Sequence, residues 1–142
     1  MPTDQYPKVY LYRRVVQAKL YIDDHYMDNI DLDNIAEEAY FSKFHFIRLF
    51  RSIYGKTPHQ YLKAVRIDKA KLLLAKGIAV SDVCLSVGFE SLGSFSSLFK
   101  NMVGSTPSAF LAEQIARQLK ITATPLHYIP GCMAHKMGWI KK

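Results

Sequence analysis

The sequence predicts an all-α fold in which two helix-turn-helix subdomains are joined by a long linker helix, with about seven helices in all. Three observations predict it: one supersecondary unit occurs twice, capping residues stand at corresponding places in both copies, and the apolar residues follow helical spacing. The 142 residues are 49% hydrophobic and 22% charged, which is typical of one small globular domain or of two very small ones that share a core.

The repeat is visible at a constant offset of 49 residues. The first copy is Ser42-x-x-x-Phe46-x-x-Leu49-Phe50-Arg51-x-x-x-Gly55-x-Thr57-Pro58-x-x-Tyr61-Leu62, and the second is Ser91-x-x-x-Phe95-x-x-Leu98-Phe99-Lys100-x-x-x-Gly104-x-Thr106-Pro107-x-x-Phe110-Leu111. Upstream, Ile30-x-Leu32-x-x-Ile35 matches Ile78-x-Val80-x-x-Val83 at an offset of 48. The second copy therefore has one extra residue, within Val87-Gly88-Phe89-Glu90.

Ahead of the repeat, Val9 to Tyr26 has helical spacing and is expected to pack on the first unit. Each unit then opens with a short helix, about Leu32 to Ala39 in the first copy and Val80 to Val87 in the second. No segment alternates apolar and polar residues as a half-buried strand would.

The second helix of each unit has a cap at both ends. Ser42 and Ser91 stand at the N-cap position, where a hydroxyl accepts from amides of the first turn. Gly55 and Gly104 suit the left-handed position that ends a helix. These residues predict the boundaries of both helices.

A further helix follows each unit. Thr57-Pro58 and Thr106-Pro107 combine an N-cap with a proline at the first helical position. Pro58 to Ala75 is then a linker helix of about 27 Å at 1.5 Å per residue, ending near Gly77. The predicted divisions are residues 1–29 (N-terminal helix), 30–57 (first helix-turn-helix), 58–77 (linker helix), 78–113 (second helix-turn-helix and following helix) and 114–142 (a tail of unknown role).

Charge is unevenly distributed along the chain. The net charge is +7, and residues 43–76 alone carry +8, whereas residues 77–113 carry −2. A positive field concentrated in one segment suggests a polyanionic partner.

Several other classes of protein are disfavoured. No apolar run reaches the roughly 18 residues of a membrane span, and the N-terminus lacks a signal peptide, so we expect a cytoplasmic protein with no membrane contact. Cys84 and Cys132 cannot form a disulfide framework. His127, Cys132 and His135 are three potential zinc ligands without a fourth, so no metal, no cofactor and no enzymatic activity are expected. Two cysteines also exclude the cysteine-rich module of an alkyl-accepting repair protein.

The second helix of the first unit has more apolar residues than one buried face can use. Its predicted core stripe is Phe46, Leu49, Phe50 and Ile53. A second stripe of the same spacing contains Phe44, Ile47, Arg48 and Arg51. In a helix-turn-helix this helix enters the DNA major groove, where Arg48 suits a bidentate contact with guanine and Phe44 and Ile47 suit thymine methyls. The alternative is that Phe44 and Ile47 pack on another helix or on a partner subunit.

Candidate phosphate contacts flank the two recognition helices. The basic ones are Lys43, Arg51, Lys56 and Lys100, and Thr57 and Thr106 mark helix N-termini whose amides favour anions. Each of these charges could instead be merely solvated. Arg66 is expected to pair internally, for instance with an acid of the first unit.

Three motifs together resemble the DNA-binding domain of the AraC/XylS family of bacterial transcription regulators. They are Ser42-x-x-x-Phe46-x-x-x-Phe50-Arg51-x-x-x-Gly55, Arg66-x-x-x-Ala70-x-x-Leu73-Leu74, and Gly88-Phe89-x-Ser91-x-x-x-Phe95-x-x-x-Phe99-Lys100-x-x-x-Gly104-x-Thr106-Pro107. The resemblance implies double-stranded DNA as partner, two successive major grooves read on one face, and activation through RNA polymerase. It places the base-reading positions on Phe44, Ile47, Arg48, Leu92, Gly93, Ser94 and Ser97.

The second recognition helix departs from the family pattern. Its outward stripe is Gly93, Ser96, Ser97 and Lys100, and family members commonly have an arginine where Ser97 stands. Short hydroxyls cannot make bidentate base contacts, so this helix is expected to read DNA weakly. The family's ligand-sensing domain is also absent from this sequence, which would fit either a fragment that works with a separate sensor domain or a stand-alone regulator. The competing function is a protein-interaction module that uses the same surface without specific DNA binding.

Overall fold

The computed structural model describes residues 2–33, 35 and 42–123, with side chains from residue 9 onward. Within these residues the chain forms six helices and no strand: α1 (Pro2–His25), α2 (Lys43–Tyr54), α3 (Pro58–Ala75), α4 (Val80–Ser86), α5 (Leu92–Val103) and α6 (Pro107–Ala123). Residues 32, 33 and 35 are also helical, and the rest of the helix predicted for Leu32 to Ala39 lies outside the described residues. The all-α prediction is confirmed.

The repeated caps form as the sequence predicts. The Ser42 hydroxyl accepts from the His45 amide at 3.1 Å, and the Ser91 hydroxyl accepts from the Ser94 amide at 3.3 Å. The glycines that end α2 and α5 have positive φ, 75° at Gly55 and 97° at Gly104. Each of these interactions joins residues that are close in sequence. They therefore determine where both recognition helices, α2 and α5, begin and end.

Both proline-started helices also have side-chain caps. The Thr57 hydroxyl accepts from the Gln60 amide at 3.2 Å, while the Gln60 side chain accepts from the Thr57 amide at 3.0 Å. This reciprocal pair is a capping box. The Thr106 hydroxyl accepts from the Ala109 amide at 3.1 Å.

Two apolar cores stand side by side, and α3 belongs to both. The first contains Val15, Ala18, Ile22, Leu32, Phe46, Phe50 and Leu62. The second contains Ile67, Ala70, Leu74, Val83, Cys84, Val87, Phe95 and Phe99. The N-terminal half of α3 thus packs with α1 and α2, and its C-terminal half packs with α4 and α5.

An aromatic contact is repeated in the two cores. Phe50 meets Tyr61 edge-on with ring centroids 5.7 Å apart, and Phe99 meets Phe110 edge-on at 5.4 Å. Edge-to-face geometry is a favourable arrangement of two rings. Corresponding sequence positions therefore make corresponding contacts, which attach each recognition helix to the helix that follows it.

Ile53 does not belong to the core stripe predicted for α2, because 36% of its surface is exposed. The ring of Tyr54 fills the core at that end of the helix and contacts the rings of Phe50 at 4.9 Å and Tyr61 at 6.0 Å. Spacing alone cannot distinguish these adjacent positions, since both lie near the edge of the buried face.

Two helices are longer than predicted. α1 begins at Pro2 rather than near Val9. Pro2 occupies the first helical position, where a proline is tolerated, and the helix also continues through Pro7. α6 continues to Ala123, past the predicted division at residue 113. Residues 108–123 contain neither glycine nor proline, so no local signal ends the helix at the end of the repeat. No described helix has both the length and the apolar character that a bilayer crossing requires.

Candidate nucleic-acid interface

The outward face of α2 presents most of the predicted base-reading stripe to solvent. Phe44 is 74% exposed, and Arg48 and Arg51 are exposed as well. Ile47 is half-buried beside a small apolar cleft formed with Leu32 and Pro58. The stripe therefore combines a free aromatic ring and two guanidinium groups with an isoleucine that is partly anchored in the protein.

Lys43, at the first turn of α2, is ion-paired. Its Nζ lies 3.1 Å from an Asp33 carboxylate oxygen, and both side chains are more than half exposed. An exposed pair of this kind contributes about 0–1 kcal/mol, so a phosphate could replace the carboxylate at little cost. Helical spacing did not identify Asp33 as the partner of Lys43, because Asp33 lies before α2 and not on the same helix.

The corresponding face of α5 is exposed but carries short side chains. Leu92 is 50% exposed, and Gly93, Ser94, Ser97 and Lys100 are exposed too. Ser96, which was placed on the same stripe, is half-buried. The stripe of α5 has one long cationic group, Lys100, whereas the stripe of α2 has two, Arg48 and Arg51.

The remaining phosphate candidates lie at the surface. Arg51, Lys56 and Lys100 are exposed. The hydroxyl oxygens of Thr57 and Thr106 already accept capping hydrogen bonds, so their hydroxyl protons are what these side chains can offer to a phosphate oxygen.

A cavity of about 340 Å³ next to the start of α5 was not anticipated from the sequence. Its lining consists of Asn29, Arg66, Gly88, Phe89, Glu90, Ser91 and Ser94. The signal that could have located it is the extra residue of the second copy, which lies among residues 87–90. The cavity thus brings the insertion together with a predicted base-reading residue, Ser94.

Arg66 lines this cavity and makes internal contacts, as predicted. Its Nε donates to the Tyr26 carbonyl at 2.7 Å, and its Nη2 donates to the Asp28 carbonyl at 2.9 Å. The guanidinium carbon lies 5.6 Å from the centre of the Phe89 ring. Burial lowers the pKa of Arg66. The described partners are therefore carbonyls rather than a carboxylate, while the acidic residues 37 and 38 of the first unit lie outside the described residues.

The metal-ligand candidates His127, Cys132 and His135 fall outside the described residues. Across the described ranges, no group of histidine, cysteine and carboxylate side chains could hold a metal ion. Cys84 is buried, and this burial raises the pKa of its thiol.

The chain matches a family of known proteins over most of its described length. Residues 35–113 match the family model described as a helix-turn-helix domain. The HTH-type transcriptional activator AarP of Providencia stuartii is 33% identical over 97 residues, covering 68% of this chain and 72% of AarP. The bifunctional transcriptional activator and DNA repair enzyme AdaA of Bacillus subtilis is 33% identical over 91 residues, covering 63% of this chain.

Some relatives are much longer than the matched region. The chain covers 43% of AdaA, and it covers 26% of the uncharacterized regulator YbfI of Bacillus subtilis, to which it is 34% identical over 70 residues.

Solved structures share the fold. The DNA-binding domain of AdpA, determined in complex with a target DNA, matches with a TM-score of 0.69 and 30% identity, covering 75% of this chain and 96% of that domain. A probable AraC family regulator from Rhodopseudomonas palustris matches with a TM-score of 0.63 and 28% identity, covering 72% of this chain and 97% of that one.

Proposed function

Because the chain belongs to the AraC family of helix-turn-helix transcription regulators, we propose that it reads two adjacent major grooves of double-stranded DNA, mainly through α2. The observation that carries this proposal is the exposed stripe of α2, in which Phe44 and Arg48 project from a helix capped at both ends. A rigid helix that presents a guanidinium beside apolar groups can discriminate base pairs by hydrogen bonds and by contact with thymine methyls.

We assign the base contacts of the first groove to Phe44, Ile47 and Arg48. Arg48 is the bidentate donor to guanine O6 and N7, and an exposed Phe44 ring is suited to a thymine methyl. Ile47 is half-buried against its own protein, so its side chain cannot extend far into the groove. It selects bases by shape, through contact with whatever lies directly against it. One well-made bidentate contact discriminates by about 1–3 kcal/mol.

The second groove receives α5, with Leu92, Gly93, Ser94 and Ser97 facing the bases. Apart from Leu92, the base-facing positions of this helix carry glycine or serine, so it follows the groove closely and contributes mostly contacts that do not depend on sequence. Specificity then comes chiefly from the first groove.

Phosphate contacts supply the remaining binding energy. We assign them to Lys43, Arg51, Lys56, Thr57, Lys100 and Thr106. The +8 charge of residues 43–76 favours the first unit, and Lys43 would exchange Asp33 for a phosphate on binding.

The wider biological role is inferred from relatives. AarP is named a transcriptional activator, and we infer that this chain also activates transcription, through contact with RNA polymerase, in the cytoplasm and without enzymatic activity. The chain spans less than half of YbfI and AdaA. If it is a fragment of a longer regulator, a sensor domain is a further partner, whereas a stand-alone regulator would work without one.

Selection of bound sequences from a random duplex pool tests the proposal. We expect one enriched site, with affinity that falls steeply as salt rises because cationic side chains displace counterions from phosphates. Repeating the selection with Arg48→Ala shows which base pair the arginine reads. Failure to enrich any sequence, or affinity that does not change with salt, would refute DNA reading.

The exposed Phe44 ring and the exposed Leu92 side chain also favour a second candidate, a protein-interaction surface. In that case duplex binding would be weak, would show no sequence preference, and would not change when Arg48 is replaced. The same selection therefore separates the two functions.

A further inference from the structure

The two helix-turn-helix units are joined at a second place besides α3. The turn that ends α1, residues 26–29, contacts residues of both units. Tyr26 packs against the first core and against the second core, and the Lys69 ammonium of α3 lies 5.9 Å from its ring centre. A segment that precedes the first unit is thus wedged between the two.

Arg66 fastens this turn to the second unit. Two nitrogens of its guanidinium donate to the carbonyls of Tyr26 and Asp28, at 2.7 and 2.9 Å. The same guanidinium lies over the Phe89 ring. A planar fork of donors can hold two carbonyls and a ring at once, whereas a lysine ammonium cannot reproduce this geometry. One side chain therefore links the turn after α1, the linker helix and the turn before α5.

Gly88 permits the close approach. A Cβ atom at this position would lie 2.8 Å from the Met27 carbonyl oxygen, and the residue has a φ of +96°. Both the space and the backbone conformation require glycine here. Gly88 and Phe89 belong to the stretch that holds the extra residue of the second copy, so the insertion is what meets the turn after α1.

We propose that the turn at residues 26–29, Arg66 and Gly88 form a brace that fixes the angle between α2 and α5 and so sets the half-site spacing that the protein accepts. Arg66 is a positioning residue in this proposal, since it acts through the placement of the helices. The consequence for DNA rests on the proposed function, in which both helices enter major grooves.

The spacing between two half-sites determines both their separation and their relative rotation. Each added base pair moves a half-site by about 3.4 Å and turns it by about a tenth of a helical turn. A rigid pair of helices accepts one spacing, whereas a pair connected by α3 alone could tilt to follow a displaced half-site. The brace therefore predicts sharp rejection of sites that differ by one base pair in length.

The first experiment needs no DNA. Spin labels at Ser52→Cys and Asn101→Cys, two exposed positions on α2 and α5, report the distance between the helices in a chain that carries Cys132→Ser and retains the buried Cys84. We expect a single narrow distance distribution, which widens about twofold in Arg66→Met because the units then rotate about α3. Arg66→Lys should widen it as well, and Gly88→Ala should shift it.

The second experiment measures affinity for duplexes in which the weaker half-site is moved by one or two base pairs. We expect the unchanged protein to prefer one spacing by about tenfold, and the Arg66→Met and Gly88→Ala proteins to differ by less than about threefold across the series. The base preference within the first half-site should stay the same.

Two controls separate positioning from stability. Arg14→Met removes a guanidinium that also lies over a ring, that of Tyr10 at 5.1 Å, but within α1 alone, and it should leave distance and spacing unchanged. Val83→Ala weakens the second core while leaving Arg66, Gly88 and residues 26–29 unchanged, so it should lower the melting temperature and reduce affinity equally at every spacing.

The brace is refuted if folded Arg66→Met and Gly88→Ala proteins keep a narrow, unshifted distance distribution. The spacing role is refuted if their preference stays at about tenfold, or if Val83→Ala flattens it as much. A protein that binds no duplex at all would refute the proposed function and the spacing role together, while the distance measurement would still decide whether the brace exists.

Discussion

At the scale of single residues, Arg48 and Arg51 lie on one face of α2 but are expected to contribute differently. Arg48→Ala should cost about 1–3 kcal/mol on the selected site and flatten the preference at one base pair, because a bidentate contact is lost. Arg51→Ala should weaken all sequences alike and lower the salt slope by about one unit. Titration of matched and mismatched duplexes at several salt concentrations measures both effects. An unchanged base preference in Arg48→Ala would contradict the assignment.

We expect the stability of the first unit to depend on alkaline pH through Tyr61. Its hydroxyl donates to Asp23 at 2.5 Å, and Lys19 pairs with the same carboxylate at 2.7 Å. Burial, together with the bond to Asp23, raises the pKa of Tyr61 to about 12 from an ordinary value of 10.0. Between these values the unfolded chain loses the proton and the folded chain keeps it. The stabilising contribution is therefore complete below pH 10 and is lost as the pH rises towards 12.

Tyr61→Phe should lower the free energy of unfolding by about 1.5–3 kcal/mol at neutral pH, because one hydrogen bond to a carboxylate disappears. It should also remove part of the loss of stability above pH 10. Urea denaturation at several pH values measures both. Tyr54→Phe is the matched control, since the Tyr54 ring packs on Phe50 in the same cluster, and it should keep the alkaline dependence. Equal pH profiles for Tyr61→Phe and the unchanged protein would contradict the assignment.

At the scale of the helices, the sequence predicted the ends of α2, α3 and α5 because caps act within a few residues. Ser42, Thr57 and Ser91 make the hydrogen bonds that their positions indicate. It did not predict the exposure of Ile53 or the continuation of α6, since the first depends on how Tyr54 packs and the second lacks any capping signal.

The cap of α2 gives a prediction that distinguishes two substitutions of one residue. Ser42→Ala should cost about 1 kcal/mol, because the His45 amide loses its acceptor, whereas Ser42→Gly should cost only a few tenths, because glycine is itself a tolerated N-cap. Urea denaturation of the two variants measures the difference. If alanine were no worse than glycine, the hydroxyl would not be stabilising the helix.

At the scale of the whole molecule, the two recognition helices are alike in backbone and unlike in chemistry. The selected site should have one sharp half and one degenerate half, centred about 10–10.5 base pairs away. Ser97→Arg should strengthen binding by placing a long cationic donor in the second groove, and Arg48→Ser should lose most of the specificity. Sequence selection with each variant measures this. Two equally sharp halves, or no gain from Ser97→Arg, would favour recognition of DNA shape by α5.

The stripe of α2 could be predicted from the sequence because helical spacing alone separates Phe44 and Arg48 from the buried Phe46 and Phe50. The contacts of Arg66 could not, because the residue binds carbonyls of the turn after α1, 40 positions away along the chain in the case of Tyr26. Backbone carbonyls are present at every residue, so no pattern of side chains indicates which of them an arginine will meet.

The sharing of α3 between the two cores has a consequence for heat stability. Leu62 lies in one core and Leu74 in the other, on a single continuous helix. Melting either core removes the support of the helix that the other core needs, so the two halves should melt together. Calorimetry should show one endotherm, and Leu74→Ala should lower the melting temperature of the far half as much as that of its own. The two copies that are separate in the sequence should therefore unfold as one cooperative unit.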